Sequence, residues 1–105
     1  MLFLLKVRIP IEAGNTALRD PDFGKKMNEL LASIKAQAAY FTTVDGQRGG
    51  YVAVDMKDAS ELPAIAEPFF LWLKADITAL PAMRPEDLAK AGPAIGEAVK
   101  RWGSA

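Results

Sequence analysis

Asp45-Gly46 stands between two runs rich in Tyr, Phe, Thr and Val, and the stretch from Tyr40 to Met56 reads YFTTVDGQRGGYVAVDM. Asp-Gly between alternating strands is the strongest short-range signal for a two-residue type I′ turn, because both central residues must take φ > 0. With these two residues as the loop, Val44 falls opposite Gln47, Thr42 opposite Gly49 and Tyr40 opposite Tyr51. Directly opposed residues share a face. Tyr40, Thr42, Tyr51, Ala53 and Asp55 then line one side, and Phe41, Val52, Val54 and Met56 the other. One face of the hairpin is mixed polar and the other apolar, and the rest of the chain has to be arranged around it.

At 105 residues the chain is expected to form one domain, 1–105, large enough for a core but near the size where burial against a partner helps. Lys plus Arg equals Asp plus Glu at 13 each. Scattered basic residues without a net excess give no continuous stripe to neutralise phosphates, so nucleic acid is not an expected partner. The chain has no Cys and no His. That removes disulfides, thiolate nucleophiles, imidazole acid–base chemistry and most zinc or iron sites, leaving only oxygen ligands for a metal. No metal site and no cofactor is expected. Met1-Leu2-Phe3-Leu4-Leu5 is apolar but has no basic residues before it and is broken by Lys6 and Arg8, which reads as a strand and not a signal peptide. No apolar run reaches membrane-spanning length. The expected location is the cytoplasm.

In chain order, Leu2 to Ile9 alternates as a strand that Pro10 ends. Ile11 to Arg19 reads as a connecting loop of small and polar residues. Asp20 as N-cap and Pro21 at the first helical position open a helix whose apolar stripe is Phe23, Met27, Leu30, Leu31 and Ile34. After the hairpin, Ser60 is the expected N-cap of a second helix, with a kink or restart near Glu67-Pro68. Asp76 to Leu80 is a last strand closed by Pro81. A third helix starts at Pro85-Glu86-Asp87, bends at Gly92-Pro93 and carries Ile95, Val99 and Trp102 at helical spacing.

This order is the α+β, ferredoxin-like βαββαβ arrangement with an extra C-terminal helix. Alternation assigns Phe3, Leu5, Val7, Ile9, Phe41, Val52, Val54, Met56, Ile77 and Ala79 to the face covered by helices. The other face carries Leu2, Leu4, Lys6, Arg8, Tyr40, Thr42, Tyr51, Ala53, Asp55, Asp76, Thr78 and Leu80. That is more apolar surface than a small monomer leaves in water, so a second copy is expected to cover it sheet against sheet, with the Trp102 helix at the rim or across the dyad.

The strand opening MLFLLKVRIP, the hairpin and the stretch SELPAIAEPFFLWLKADITALPAM together resemble the dimeric α+β-barrel superfamily over nearly the whole chain. More narrowly, the YF…DG.R.G, AEP.F and P.M..EDL patterns resemble a small bacterial family of unassigned activity. A weaker likeness, in MLFLLKV and in SELPAIAEPFFLWLKADITAL, is to muconolactone isomerase. The hairpin departs from that enzyme's pattern and no His-Pro follows the last strand. The resemblance implies a homodimeric barrel. Its superfamily includes cofactor-free isomerases and oxygenases, haem-using enzymes and non-catalytic proteins, and fold alone does not choose among them. Haem is disfavoured here by the absence of His.

Two facing sheets would bring Arg8, Lys6, Tyr40, Thr42, Tyr51, Asp55, Asp76 and Thr78 toward one space. Two tyrosines with convergent charges suit a small aromatic or carboxylate-bearing molecule, which Arg8 can hold bidentately. In that reading Asp55 or Asp76, its pKa raised by burial, is the base, while Tyr40 or Tyr51 orients the substrate or donates to an oxyanion. Thr42 and Glu67 are further ligand contacts, Glu67 because the proline after it places its carboxylate at an irregular point of a helix beside Phe69, Phe70 and Trp72. The alternative is that Arg8 and Lys6 merely pair with Asp55 or Asp76 across strands or across the dyad. Arg48-Gly49-Gly50 has an anion-nest reading and a plainer one, a bulge or close backbone approach. Asn15 and Thr16, on the loop after the first strand, are either ligand contacts or solvated. Two functions follow: cofactor-free, isomerase-like acid–base chemistry on a small bound molecule, or a non-catalytic dimeric ligand-sensing or interaction module.

Overall fold

The hairpin forms in the expected register: Val44 pairs with Gln47, Thr42 with Gly49 and Tyr40 with Tyr51. Asp45 and Gly46 both have positive φ, 51° and 78°, as a type I′ turn requires. These features come from a computed structural model that describes residues 1–104. Its elements are β1 (Leu2–Arg8), α1 (Ile11–Leu18), α2 (Phe23–Ser33), β2 (Ala38–Val44), β3 (Gln47–Asp55), a 3₁₀ turn (Ala59–Glu61), α3 (Leu62–Leu73), β4 (Asp76–Pro81), α4 (Pro85–Lys90) and α5 (Gly92–Trp102). The four strands make one antiparallel sheet in the order β2-β3-β1-β4. The topology is consistent with a ferredoxin-like α+β fold.

The core lies on one side of the sheet. Leu5, Val7, Val52, Val54 and Met56 pack there against Met27 and Leu30 of α2 and Ile65, Phe69 and Leu73 of α3. These positions are those that alternation assigns to the covered face, since strand side chains change sides at every residue. Phe41 belongs to that side by parity but is 68% exposed. β2 is an edge strand, so Phe41 lies where helical cover runs out. At Gly49 and Gly50 the backbones close in: a Cβ would sit 2.0 Å from the Val7 carbonyl oxygen at Gly49 and 2.1 Å from that of Tyr40 at Gly50. Close backbone approach therefore accounts for both glycines, and Arg48 is spent elsewhere, donating from Nη1 to Asn15 Oδ1 at 2.9 Å.

Several local expectations are corrected. Residues 11–18 are a helix, not a loop, begun at Pro10, whose carbonyl accepts the Gly14 N–H at 2.9 Å. Gly14, Asn15 and Thr16 are poor helix formers; tertiary packing decides, with Gly14 and Ala17 buried and Arg48 Nη1 only 2.9 Å from where a Gly14 Cβ would be. The next helix starts at Phe23, later than Asp20-Pro21 suggest, because the Asp20 carboxylate accepts the Asp22 N–H at 2.9 Å and stabilises a turn instead. Asp58, not Ser60, caps the 3₁₀ turn, accepting the Ser60 N–H at 2.9 Å. α3 runs through Pro68 without a restart.

The third helical region divides at Gly92, as its Gly-Pro pair suggests. Asp87 reaches back to accept the Arg84 N–H at 2.9 Å, securing the start of α4. Among the described residues, none in α4 or α5 is buried. No helix among the described residues is long and apolar enough to cross a membrane.

Candidate functional site

Strand pairing lays the open face out as transverse rows. Asp76, Arg8, Gly49 and Thr42 form one row across β4, β1, β3 and β2. Thr78, Lys6, Tyr51 and Tyr40 form the next. Leu80, Leu4, Ala53 and Ala38 follow, and Leu2 with Asp55 ends the face. Rows two residues apart are roughly 7 Å apart at ~3.3 Å per residue. The first two rows thus gather Arg8, Asp76, Thr42, Lys6, Tyr51 and Tyr40 into one patch. No helix covers them, and Tyr40 is 70% exposed.

Asp55 does not join this patch. It pairs with Leu2 while Asp76 pairs with Arg8, six residues along β1 or about 20 Å. Its carboxylate accepts from Gln37 and lies 3.6 Å from Arg84 Nη2 and 3.7 Å from the Met1 ammonium. Asp55 therefore organises the far end of the sheet. Glu67 is also elsewhere, at the lip of an open cleft of about 270 Å³ between α3 and β4 that Leu62, Ala66, Phe70, Ile77 and Ala79 line.

Ion pairs occupy the charges of the patch. Arg8 Nη2 donates to Asp76 Oδ2 across the β1–β4 pair, as the cross-strand alternative has it. Lys6 chooses neither Asp55 nor Asp76: its Nζ lies 3.7 Å from Asp45 Oδ2 at the hairpin tip. The Asp76 side chain is 61% exposed.

A second cleft, of about 450 Å³, has Glu12, Thr16, Asp20, Trp72 and Lys74 among its lining residues. Trp72 is braced by Phe23, ring centroids 5.4 Å apart. The Lys26 ammonium, donating to Asp20 at 2.7 Å, and the Asp22 N–H hold the Asp20 carboxyl below its ordinary pKa, and the same contact raises that of Lys26. Reading residues 11–19 as a loop hides this cleft. The signal available was Ala13, Ala17 and Asp20 at spacings of four and three after a proline, a helical face interrupted by Gly14 and Asn15. Among the described residues no group of three or more acidic side chains is gathered as a metal would need.

Compared with protein-family models and with curated proteins, the chain matches none.

Proposed function

We propose that the protein works as a homodimer whose open sheet faces meet, as in a dimeric α+β barrel, and that the space between them takes a small aromatic, carboxylate-bearing molecule. The observation that supports this is the pair of adjacent rows on an uncovered face, Asp76-Arg8-Gly49-Thr42 and Thr78-Lys6-Tyr51-Tyr40. A guanidinium, an ammonium and two phenols share that uncovered face. In this reading Arg8 binds the carboxylate, Tyr40 and Tyr51 flank the ring and Thr42 adds a hydroxyl contact. In the same reading Asp76, beside Arg8, is the base for proton abstraction next to the bound carboxylate.

The Arg8–Asp76 ion pair favours a second reading, a non-catalytic dimer that senses a ligand or joins an assembly, its charges holding β1 to β4. Native mass spectrometry of the untagged chain with benzoate added separates the two. A dimer that retains an aromatic acid, and loses it in Arg8→Ala, is the expected result. A dimer that stays bare leaves the non-catalytic reading, and a monomer overturns both. Arg8→Ala and Asp76→Asn also discriminate by stability: loss of the dimer assigns the pair to structure, whereas a neutral or stabilising effect assigns it to a functional site.

A further inference from the structure

We propose that α4 and α5 form an exchange arm, which docks on a second copy of this chain in the groove between that copy's α3 and β4. The inference shares with the preceding section only the identity of the partner, and does not require the sheet faces to meet.

The arm presents an apolar stripe that, among the described residues, nothing in its own chain covers. Ile95, Val99 and Trp102 recur at spacings of four and three, so they share one side of α5. Val99 is 61% and Trp102 77% exposed, and Leu88 and Ile95 are half exposed. Gly92 lies toward the same side, where a Cβ would meet nothing within 4 Å, so another surface can come close.

The size of the exposed surface points to a second copy. The chain exposes 7335 Å², against about 5,700 Å² expected for a folded monomer of this mass. Its radius of gyration is 17.5 Å, where a chain this long packs to about 13 Å. The excess surface is about 1,600 Å² per copy, and burying it on both copies would give an interface of the size found in obligate homodimers.

The arm is also rooted away from its own groove. After β4, the Ala82 N–H donates to the Leu2 carbonyl at 3.0 Å, and Arg84 Nη2 reaches Gln37 Oε1 at 2.9 Å beside the start of β2. β2 and β4 are opposite edges of the sheet, so the chain crosses the sheet end before α4 begins. The α3–β4 groove is left with an apolar lining, and a further cleft of about 200 Å³ continues it, sharing Leu62 and Ala79. Glu67, Lys57 and Asp58 stand along these clefts, whose rims are mixed in charge and whose shared lining is apolar. Apolar stripe meets apolar groove, and a two-fold axis forms the contact twice and closes it.

The chain has no cysteine, so single substitutions give site-specific cross-links. Ala98→Cys on the arm and Leu71→Cys beside the groove are both at exposed positions. An equimolar mixture of the two variants, treated with a short bis-maleimide, is expected to give a cross-linked dimer. The doubly substituted chain, diluted in a large excess of unsubstituted chain, is expected to give no internal cross-link. Absence of the interchain product, or an internal one, overturns the proposal. A measurement without cysteine substitution uses Trp72→Phe, which leaves Trp102 as the sole reporter: its emission should be shielded from acrylamide in the assembled protein and become accessible on dilution, and accessibility at all concentrations overturns the docked arm. If Leu4→Asp leaves the cross-link intact, the arm contact stands and the meeting of sheet faces fails separately.

Discussion

The two faces of the sheet are built from the same strands and finished differently. On β1, Leu5 and Val7 are buried under α2 and α3, while Leu4 and Lys6, one residue out of phase, are only half-buried. Both faces carry large apolar side chains, but only one has helices of its own chain to cover it. Alternation along a strand therefore tells which residues travel together, and the number of amphipathic helices tells which face the chain itself can cover. The remainder, Leu4, Tyr51, Tyr40 and Leu80, is left without helical cover, and the proposed dimer would use it as a surface for association.

Substitutions on the two faces should separate folding from association. The largest effect is expected on the covered face: Phe69→Ala, at a nearly inaccessible site, should cost about 3–5 kcal/mol, read as a lower urea midpoint. Gly49→Ala tests the backbone that both faces share. A methyl group there meets the Val7 carbonyl and must push β1 and β3 apart, and a loss of about 1–3 kcal/mol is expected from overpacking. On the open face, Tyr51→Ala should barely move the unfolding midpoint of the dissociated chain but weaken association. For an anchor at an interface centre the loss is about 2 kcal/mol, or roughly thirtyfold in dissociation constant by sedimentation. Equal effects of Phe69→Ala and Tyr51→Ala on monomer stability would erase the distinction between the faces.

The smallest expected effects lie at exposed carboxylates remote from both faces. Asp20 and Asp58 have folded-state pKa values below their ordinary 3.8, Asp20 through Lys26 and Asp58 through Ser60. A depressed carboxyl contributes stability above its unfolded pKa and loses it as pH falls through the folded value. Lys26 is raised above 10.5, so its contribution is full below that value and fades as pH rises beyond it. Stability should therefore decline slightly below pH 4 in a manner that Asp20→Asn and Asp58→Asn each reduce, measured by thermal unfolding across pH.

The hairpin was legible in full because its register depends on two adjacent residues whose conformational demand is local. The strand faces followed from alternation, and the break at Gly92-Pro93 from backbone chemistry alone. The first helix was not legible, since Gly14, Asn15 and Thr16 argue locally against it and the packing that favours it, from Arg48 of β3, comes from a distant part of the chain. Within the candidate site, the common face of Arg8, Asp76, Tyr40, Tyr51 and Thr42 could be read from parity. Parity does not report position along a strand relative to a non-adjacent one, which is why Asp55 and Asp76 looked interchangeable and yet lie at opposite ends of the sheet.

The claim on which the rest depends is that a second copy covers what this chain leaves bare. Sedimentation equilibrium of the untagged protein over a wide concentration range tests it directly. A mass of twice 11.3 kDa that gives way to the single-chain value only at high dilution, and at higher concentration in Tyr51→Ala, is the expected result. A single-chain mass at every concentration, with the open face and the arm both in water, would contradict it.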